Sequence, residues 1–290
     1  ALNGWITLAN STSILHTSNG GTSWAFQTSN TTNLLNSVSF VDANNGWAVG
    51  QSGTILHTTN GGANWTSQTS NTTANLIGVS AFSANQSWAV GDSMARLYTT
   101  NGGSTWTVQN QAASPSYLIK AVDFITPLEG WAGVSSPLGK GFQIYTNVIM
   151  HTLDGGTTWT AQNVGLLYSY QLAIDFTDAS NGWAVGYWGN IIHTSNGGAT
   201  WMWQTSNSTN HLYGVKFADA NNGWAVGSLG TILRTSNSGA NWTSQTSGTT
   251  NSLYGVKFID TSNGWAVGNS GTIRRTFDGG NTWINQTSNT

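Results

Sequence analysis

The sequence predicts an all-β fold, a seven-bladed β-propeller of four-stranded antiparallel blades, on three observations. First, fourteen of the 16 tryptophans form two interleaved ladders: Trp5, Trp47, Trp88, Trp131, Trp183, Trp224 and Trp265, then Trp24, Trp65, Trp106, Trp159, Trp201, Trp242 and Trp283. Second, the first ladder advances by 41 to 43 residues, apart from one step of 52 between Trp131 and Trp183. Seven units of this length suit propeller blades. Third, short β-branched and aromatic runs alternate with Asn-Gly and Gly-Gly turns, and no helical periodicity competes. Residues 1–290 read as a single propeller domain, with repeats at about 1–30, 31–71, 72–112, 113–165, 166–207, 208–248 and 249–290.

The stretch Leu34 to Ser70 shows the plan of one repeat. L-L-N-S-V-S-F reads as a strand, V-D-A-N-N-G as a turn and W-A-V-G as a second strand. Q-S-G-T is a hairpin, I-L-H-T a third strand, T-N-G-G-A-N a turn and W-T-S-Q-T a fourth strand. These are strands A to D, from the axis outward. Blades are buried on both faces, and a flat aromatic burying roughly 150–250 Å² fills the wedge between neighbours. Each second-ladder tryptophan closes T-x-[ND]-[GS]-G-x-x-W, whose Asn or Asp can accept backbone N–H bonds across the turn. Asn19, Asn60, Asn101, Asp154, Asn196, Asn237 and Asp278 are therefore read as turn-fixers rather than ligands.

T-x-[ND]-[GS]-G-x-x-W resembles the Asp-box of BNR repeats, which lies between strands C and D of a blade. Together with G-W-A-V-G and I-x-[HR]-T, it makes the repeat resemble the photosystem II stability/assembly factor-like propeller family over essentially the whole chain. The resemblance implies the fold. It is silent on role, because Asp-boxes also occur in sialidases, xyloglucan-type glycoside hydrolases and sortilin-like receptors. A photosystem-assembly role would call for a charged partner surface, and this surface reads as nearly uncharged.

Strands B, C and D recur seven times, but strand A only six, near Leu35–Phe40, Leu76–Phe82, Ile119–Phe124, Leu172–Phe176, Leu212–Phe217 and Leu253–Phe258. Blade one opens directly at Asn3-Gly4-Trp5 without an inner strand, as expected of a processed or trimmed chain. An open inner edge exposes unpaired N–H and C=O groups. The strand facing Trp5–Ala9 is thus expected either upstream in the same polypeptide, the favoured reading, or from a partner by β-strand addition.

Composition excludes several function classes. Charged residues are 6%, eight Lys+Arg against ten Asp+Glu, so no basic stripe exists to meet nucleic acid. There are no cysteines, hence no disulfide, thiolate metal site or cysteine nucleophile. No run of eighteen apolar residues could span a membrane. Abundant Ser, Thr and Asn point to an extracellular or cell-surface protein. Eight N-x-[ST] sequons, at Asn10, Asn30, Asn64, Asn71, Asn85, Asn207, Asn241 and Asn285, are possible N-glycosylation sites, although such a composition also generates them by chance.

Candidate chemistry is sparse. The residue before each Asp-box Thr is His16, His57, Tyr98, His151, His193, Arg234 or Arg275. Equivalent positions on neighbouring blades lie too far apart for ~2 Å metal bonds, so these side chains are expected to stack on their own blade's tryptophan. No metal and no cofactor is expected. On strand A, Ser39, Ser80, Asp123, Asp175, Lys216 and Lys257 occupy one repeat position. The charged four form an axial polar ring, read either as inter-blade ion pairs, Asp175 with Lys216 for example, or as a site for a small ligand. A glycoside hydrolase needs two carboxylates, ~6.5–9.5 Å apart if inverting, and only Asp123 and Asp175 are candidates.

Departures from the repeat are better pointers, because structural needs are common to all blades. Blade four carries an insertion around Ser135–Asn147, and blade five has Tyr187-Trp188 where others have Gln51-Ser52 or Ser228-Leu229. Strand alternation puts B–C hairpins and D–A links on one face. Phe142, Tyr145, Tyr168, Tyr170 and Trp188 are expected to converge there, with His211, Tyr213 and Tyr254 nearby, as a ligand or partner face. The function expected is a non-enzymatic, extracellular or surface-associated propeller acting as a protein-interaction or assembly module, through a protein partner or self-assembly. The alternative is a carbohydrate-binding propeller, and the third reading is a glycoside hydrolase using Asp123 and Asp175.

Overall fold

A computed structural model of the chain describes residues 3–8, 10–109, 118–135, 148–162, 164 and 173–288. The fold is a seven-bladed β-propeller of antiparallel blades, six with four strands each and the first with three among the described residues. Within each sheet the strands follow chain order, so every blade is a simple meander. The inner strands are Leu35–Phe40, Leu76–Ala81, Leu118–Phe124, Ala173–Phe176, Leu212–Phe217 and Leu253–Phe258. Blade one consists of Gly4–Thr7, Ile14–Thr17 and Ala25–Gln27. Among the described residues, no helix is long and apolar enough to cross a membrane.

The chain divides into two compact units, with the division falling inside the fourth repeat. In the first unit, Ile14, Leu35, Ala48, Leu56 and Trp65 pack between blades one and two, and Trp47, Leu76, Ala89, Leu97 and Trp106 between blades two and three. In the second unit, Trp183, Leu212, Phe217 and Trp242 pack between blades five and six, and Trp224, Leu253, Phe258 and Trp283 between six and seven.

The first-ladder tryptophans do more than fill space. Four lie flat against their own blade's strand C histidine, as the sequence predicts for those blades: His16 on Trp5 at 4.8 Å, His57 on Trp47 at 4.4 Å, His151 on Trp131 and His193 on Trp183 at 4.5 Å. Arg234 and Arg275 cover Trp224 and Trp265 in the same way. The other indole face stacks on the last phenylalanine of the next inner strand, Trp5 on Phe40 at 3.6 Å, Trp88 on Phe124 at 3.7 Å and Trp224 on Phe258 at 3.4 Å. That phenylalanine then meets the second-ladder tryptophan edge-on, Phe40 against Trp65 for example. Blade three departs from the rule and from the expected strand end. Its inner strand stops at Ala81, which takes the phenylalanine position, and Phe82 is exposed.

Strand A carries a bulge at one place in blades two, three, four, six and seven, between Leu35 and Ser37, Leu76 and Gly78, Ile119 and Ala121, Leu212 and Gly214, and Leu253 and Gly255. The extra residue in each pair is Asn36, Ile77, Lys120, Tyr213 or Tyr254. A bulge re-aims a side chain out of the alternation, and here it sets two tyrosines on the face described next.

Candidate functional site

The B–C hairpins of blades two, five and six are single 3-10 turns, Gln51–Gly53, Tyr187–Gly189 and Ser228–Gly230. Their middle residue is left-handed: Ser52 at φ 53°, Trp188 at φ 63°, Leu229 at φ 55°. The glycine that follows is forced, since a Cβ on Gly189 would lie 1.9 Å from the Ser208 carbonyl oxygen. A left-handed residue at a tight tip projects outward, and a bulky one there is an outlier. Blades five and six therefore hold up Trp188 and Leu229, 63% and 68% exposed.

Behind Trp188 lies a set of rings within the second unit. The Trp188 backbone N–H donates to His211 Nδ1 at 3.1 Å. That bond makes Nδ1 the acceptor and leaves Nε2 as the ring's N–H donor. His211 stacks on Tyr187 at 4.2 Å and meets Trp188 edge-on at 4.8 Å. Tyr213 lies 6.4 Å from both His211 and Tyr187, and stacks on Tyr254 at 5.2 Å. Burial raises the Tyr213 phenol, and the nearby Tyr187 and Tyr254 add to the shift, against a hydrogen bond with the Ser228 hydroxyl. Tyr213 is thus neutral, positioned and half-buried, while Tyr254 is exposed. The structure brings Trp188, His211, Tyr213 and Tyr254 together. Phe142, Tyr145, Tyr168 and Tyr170 lie outside the described residues.

The axial positions have a structural use. A side chain at this position bridges neighbouring inner strands: Ala81 N–H donates to Ser39 Oγ, Phe124 N–H to Ser80 Oγ and Phe217 N–H to Asp175 Oδ2. Asp175 is buried, and its Oδ1 pairs with Lys216 Nζ. Both its oxygens are thereby engaged in holding blades five and six. Asp123 and Lys257 hold the same repeat position on blades four and seven.

Asp-box residues fix turns as the sequence implies. Asn19 Oδ1 accepts from Thr17 Oγ1 and Ser23 N–H, and Asp278 accepts from Thr276, Thr282 N–H and Thr282 Oγ1. All eight sequon asparagines are exposed. Asn30, Asn71 and Asn207, however, are left-handed and donate Nδ2 to the Trp65, Trp106 and Trp242 carbonyls, respectively. Among the described residues, no group of three or more His, Asp or Glu is placed to hold a metal.

Two features escape sequence reasoning. Glutamines 27, 68, 109, 162, 204 and 245 each accept the indole N–H of the next blade's second-ladder tryptophan, Gln68 from Trp106 at 2.9 Å. Most also donate to the next Asp-box, Gln68 to Gly102 O at 2.8 Å. The signal was in plain view, since each glutamine follows a ladder tryptophan by three residues. The other is Met202-Trp203 on the outer strand of blade five, 68% and 53% exposed. The two tryptophans outside the ladders, Trp188 and Trp203, are thus both exposed on blade five.

The model of the photosynthesis system II assembly factor YCF48 family matches residues 1–72, 162–247 and 240–290. No curated protein sequence matches the chain. Among solved structures, "YCF48 bound to D1 peptide" shares 20% identity at a TM-score of 0.70, with 99% of this chain and 84% of that chain covered. YCF48 from Cyanidioschyzon merolae shares 21% at 0.74, covering 97% and 92%. The WD40 β-propeller domain of Doa1 shares 10% at 0.67, covering 89% and 83%. At these identities the solved structures share the fold, whereas the family model covers more than half of the sequence. This chain belongs to the photosynthesis system II assembly factor YCF48 family.

Proposed function

We propose that this protein is a non-catalytic interaction module that docks a segment of another protein on the aromatic strip of blades five to seven. One observation carries the reading. Trp188 keeps a left-handed backbone and 63% of its surface in water, a conformation and an exposure that folding does not require. Blades two and seven use serine at the equivalent tip, Ser52 and Ser270, with the same backbone sign. A solved YCF48 holding a D1 peptide lends support, since a relative of the same family uses this fold to bind a polypeptide. Asp175, spent on Lys216 and Phe217, offers no free carboxylate for acid-base chemistry.

Affinity selection from a displayed library of unstructured peptides tests the reading. Binders recovered on the wild-type protein should be lost on Trp188→Ser and Tyr254→Ser. A library that yields no binder, or binders indifferent to both changes, overturns it. Our reading of location is secreted or surface-associated, resting on the scarcity of Lys and Glu. Fractionation of the source cells with the protein in the cytosolic pool would overturn that.

A further inference from the structure

We propose that the strip recognises an uncharged, proline-containing segment in the polyproline II conformation. The inference rests on reading the strip as the docking face, and it names the occupant. Three properties of the rings select it.

The first is charge. Tyr187, Trp188, His211, Tyr213, Leu229 and Tyr254 include no Asp, Glu, Lys or Arg, and His211 Nδ1 is taken up as an acceptor of the Trp188 N–H. A charged segment would lose hydration here and gain no counter-charge from these side chains.

The second is hydrogen-bonding sense. Trp188 Nε1–H and the His211 Nε2–H left by the bond to Nδ1 can only donate, while the tyrosine hydroxyls can donate or accept. No carboxylate or carboxamide belongs to the set. The matching ligand offers acceptors and few donors. A polyproline II segment has carbonyls that are unused internally, and each proline lacks an N–H. A sugar brings as many donors as acceptors, and its donors would find only hydroxyl and ring partners.

The third is shape. Trp188 stands nearly perpendicular to His211, at 80°, whereas the Tyr213 and Tyr254 rings are stacked at 29°. An indole wall beside stacked rings makes the ridged, aromatic-lined surface that such segments occupy. Ring centroids step by 4.8, 6.4 and 5.2 Å from Trp188 through His211 and Tyr213 to Tyr254. At ~3.1 Å per residue that path is as long as about five residues of polyproline II, a short linear motif.

Titration calorimetry on the full chain tests this with three probes: an uncharged ten-residue peptide containing Pro-x-x-Pro, the same peptide with every proline replaced by alanine, and a neutral hexasaccharide. The proline peptide should bind, and the alanine peptide should bind at least about tenfold more weakly. Trp188→Ser should cost a further tenfold or so, as for a hot-spot residue, with an unchanged melting curve, because Ser52 and Ser270 already hold that backbone conformation. Equal binding of the two peptides overturns the proline inference and leaves the docking face standing. Binding of the sugar alone, lost in Trp188→Ser, overturns both. A proline peptide that fails to bind, or that binds Trp188→Ser as tightly as wild type, also overturns the inference.

Discussion

Gln68 shows how much one side chain can carry at a blade boundary. Its Oε1 accepts Trp106 Nε1–H and its Nε2 donates to the Gly102 carbonyl, so one planar amide satisfies two polar groups between packed aromatic faces. Gln68→Ala should cost about 2–4 kcal/mol, two hydrogen bonds lost and an indole N–H left without a partner. Urea denaturation measures it, and a cost near zero would mean that water replaces the amide. His57 and His193 make the opposite case. Stacked on Trp47 and Trp183, their Nε2 atoms find no partner among the described residues. Asn45 and Asn181, which precede the Gly-Trp pair of those blades, bond Asp42 and Asp178. In blade four Glu129 fills that place and bonds His151 at 3.1 Å.

At the scale of elements, the repeated hairpin shows what sequence can and cannot reveal. Gly53 is left-handed, and a Cβ there would lie 2.0 Å from the Thr72 carbonyl oxygen. Gly53→Ala should destabilise by about 2–3 kcal/mol, since backbone must move to admit it. Trp188→Ser, one residue before the matching glycine of blade five, should leave stability within about 0.5 kcal/mol. Thermal melts of the two variants separate an element's structural position from its free one. The blades were legible because period, turn glycines and aromatic ladders all express packing common to every repeat. Trp188, His211, Tyr213 and Tyr254 were legible as departures from that period. The glutamine clasp was not, because a polar residue on an outer strand reads as solvent-facing until its neighbour is known. Nor could the sequence foresee that Tyr213 and Tyr254 reach the face through bulges, which break the alternation used to orient side chains.

For the molecule as a whole, 6% charged residues leave few ionisations to couple to folding, and the histidines and aspartates with shifted affinity act in one direction. Burial lowers the pKa of His16, His57 and His193 from 6.5. The unfolded chain therefore takes up these protons first, so stability is full above pH 6.5 and falls as the pH drops below it. Asp42, Asp154 and Asp278 are held below 3.8 chiefly by side-chain hydrogen bonds from Asn45, Thr158 and Thr282, Asp278 at about 2. Their contribution is present above 3.8 and is lost as the pH falls further. Melting temperature against pH should thus fall in two stages. The double change of His57 and His193 to tyrosine, the residue blade three already uses at Tyr98, should flatten the first stage only. The pair Asp175–Lys216 sets a third test. Asp175→Ala removes the buried carboxylate that Lys216 and the Phe217 N–H share, and should cost about 3–5 kcal/mol.

The central claim is that binding occurs on the strip of blades five to seven, and its most direct test is a crystal structure with a peptide selected on the wild-type protein. The account predicts peptide density across Trp188, His211, Tyr213 and Tyr254, with a peptide carbonyl on His211 Nε2. A peptide bound elsewhere, leaving these four rings in water, would contradict it.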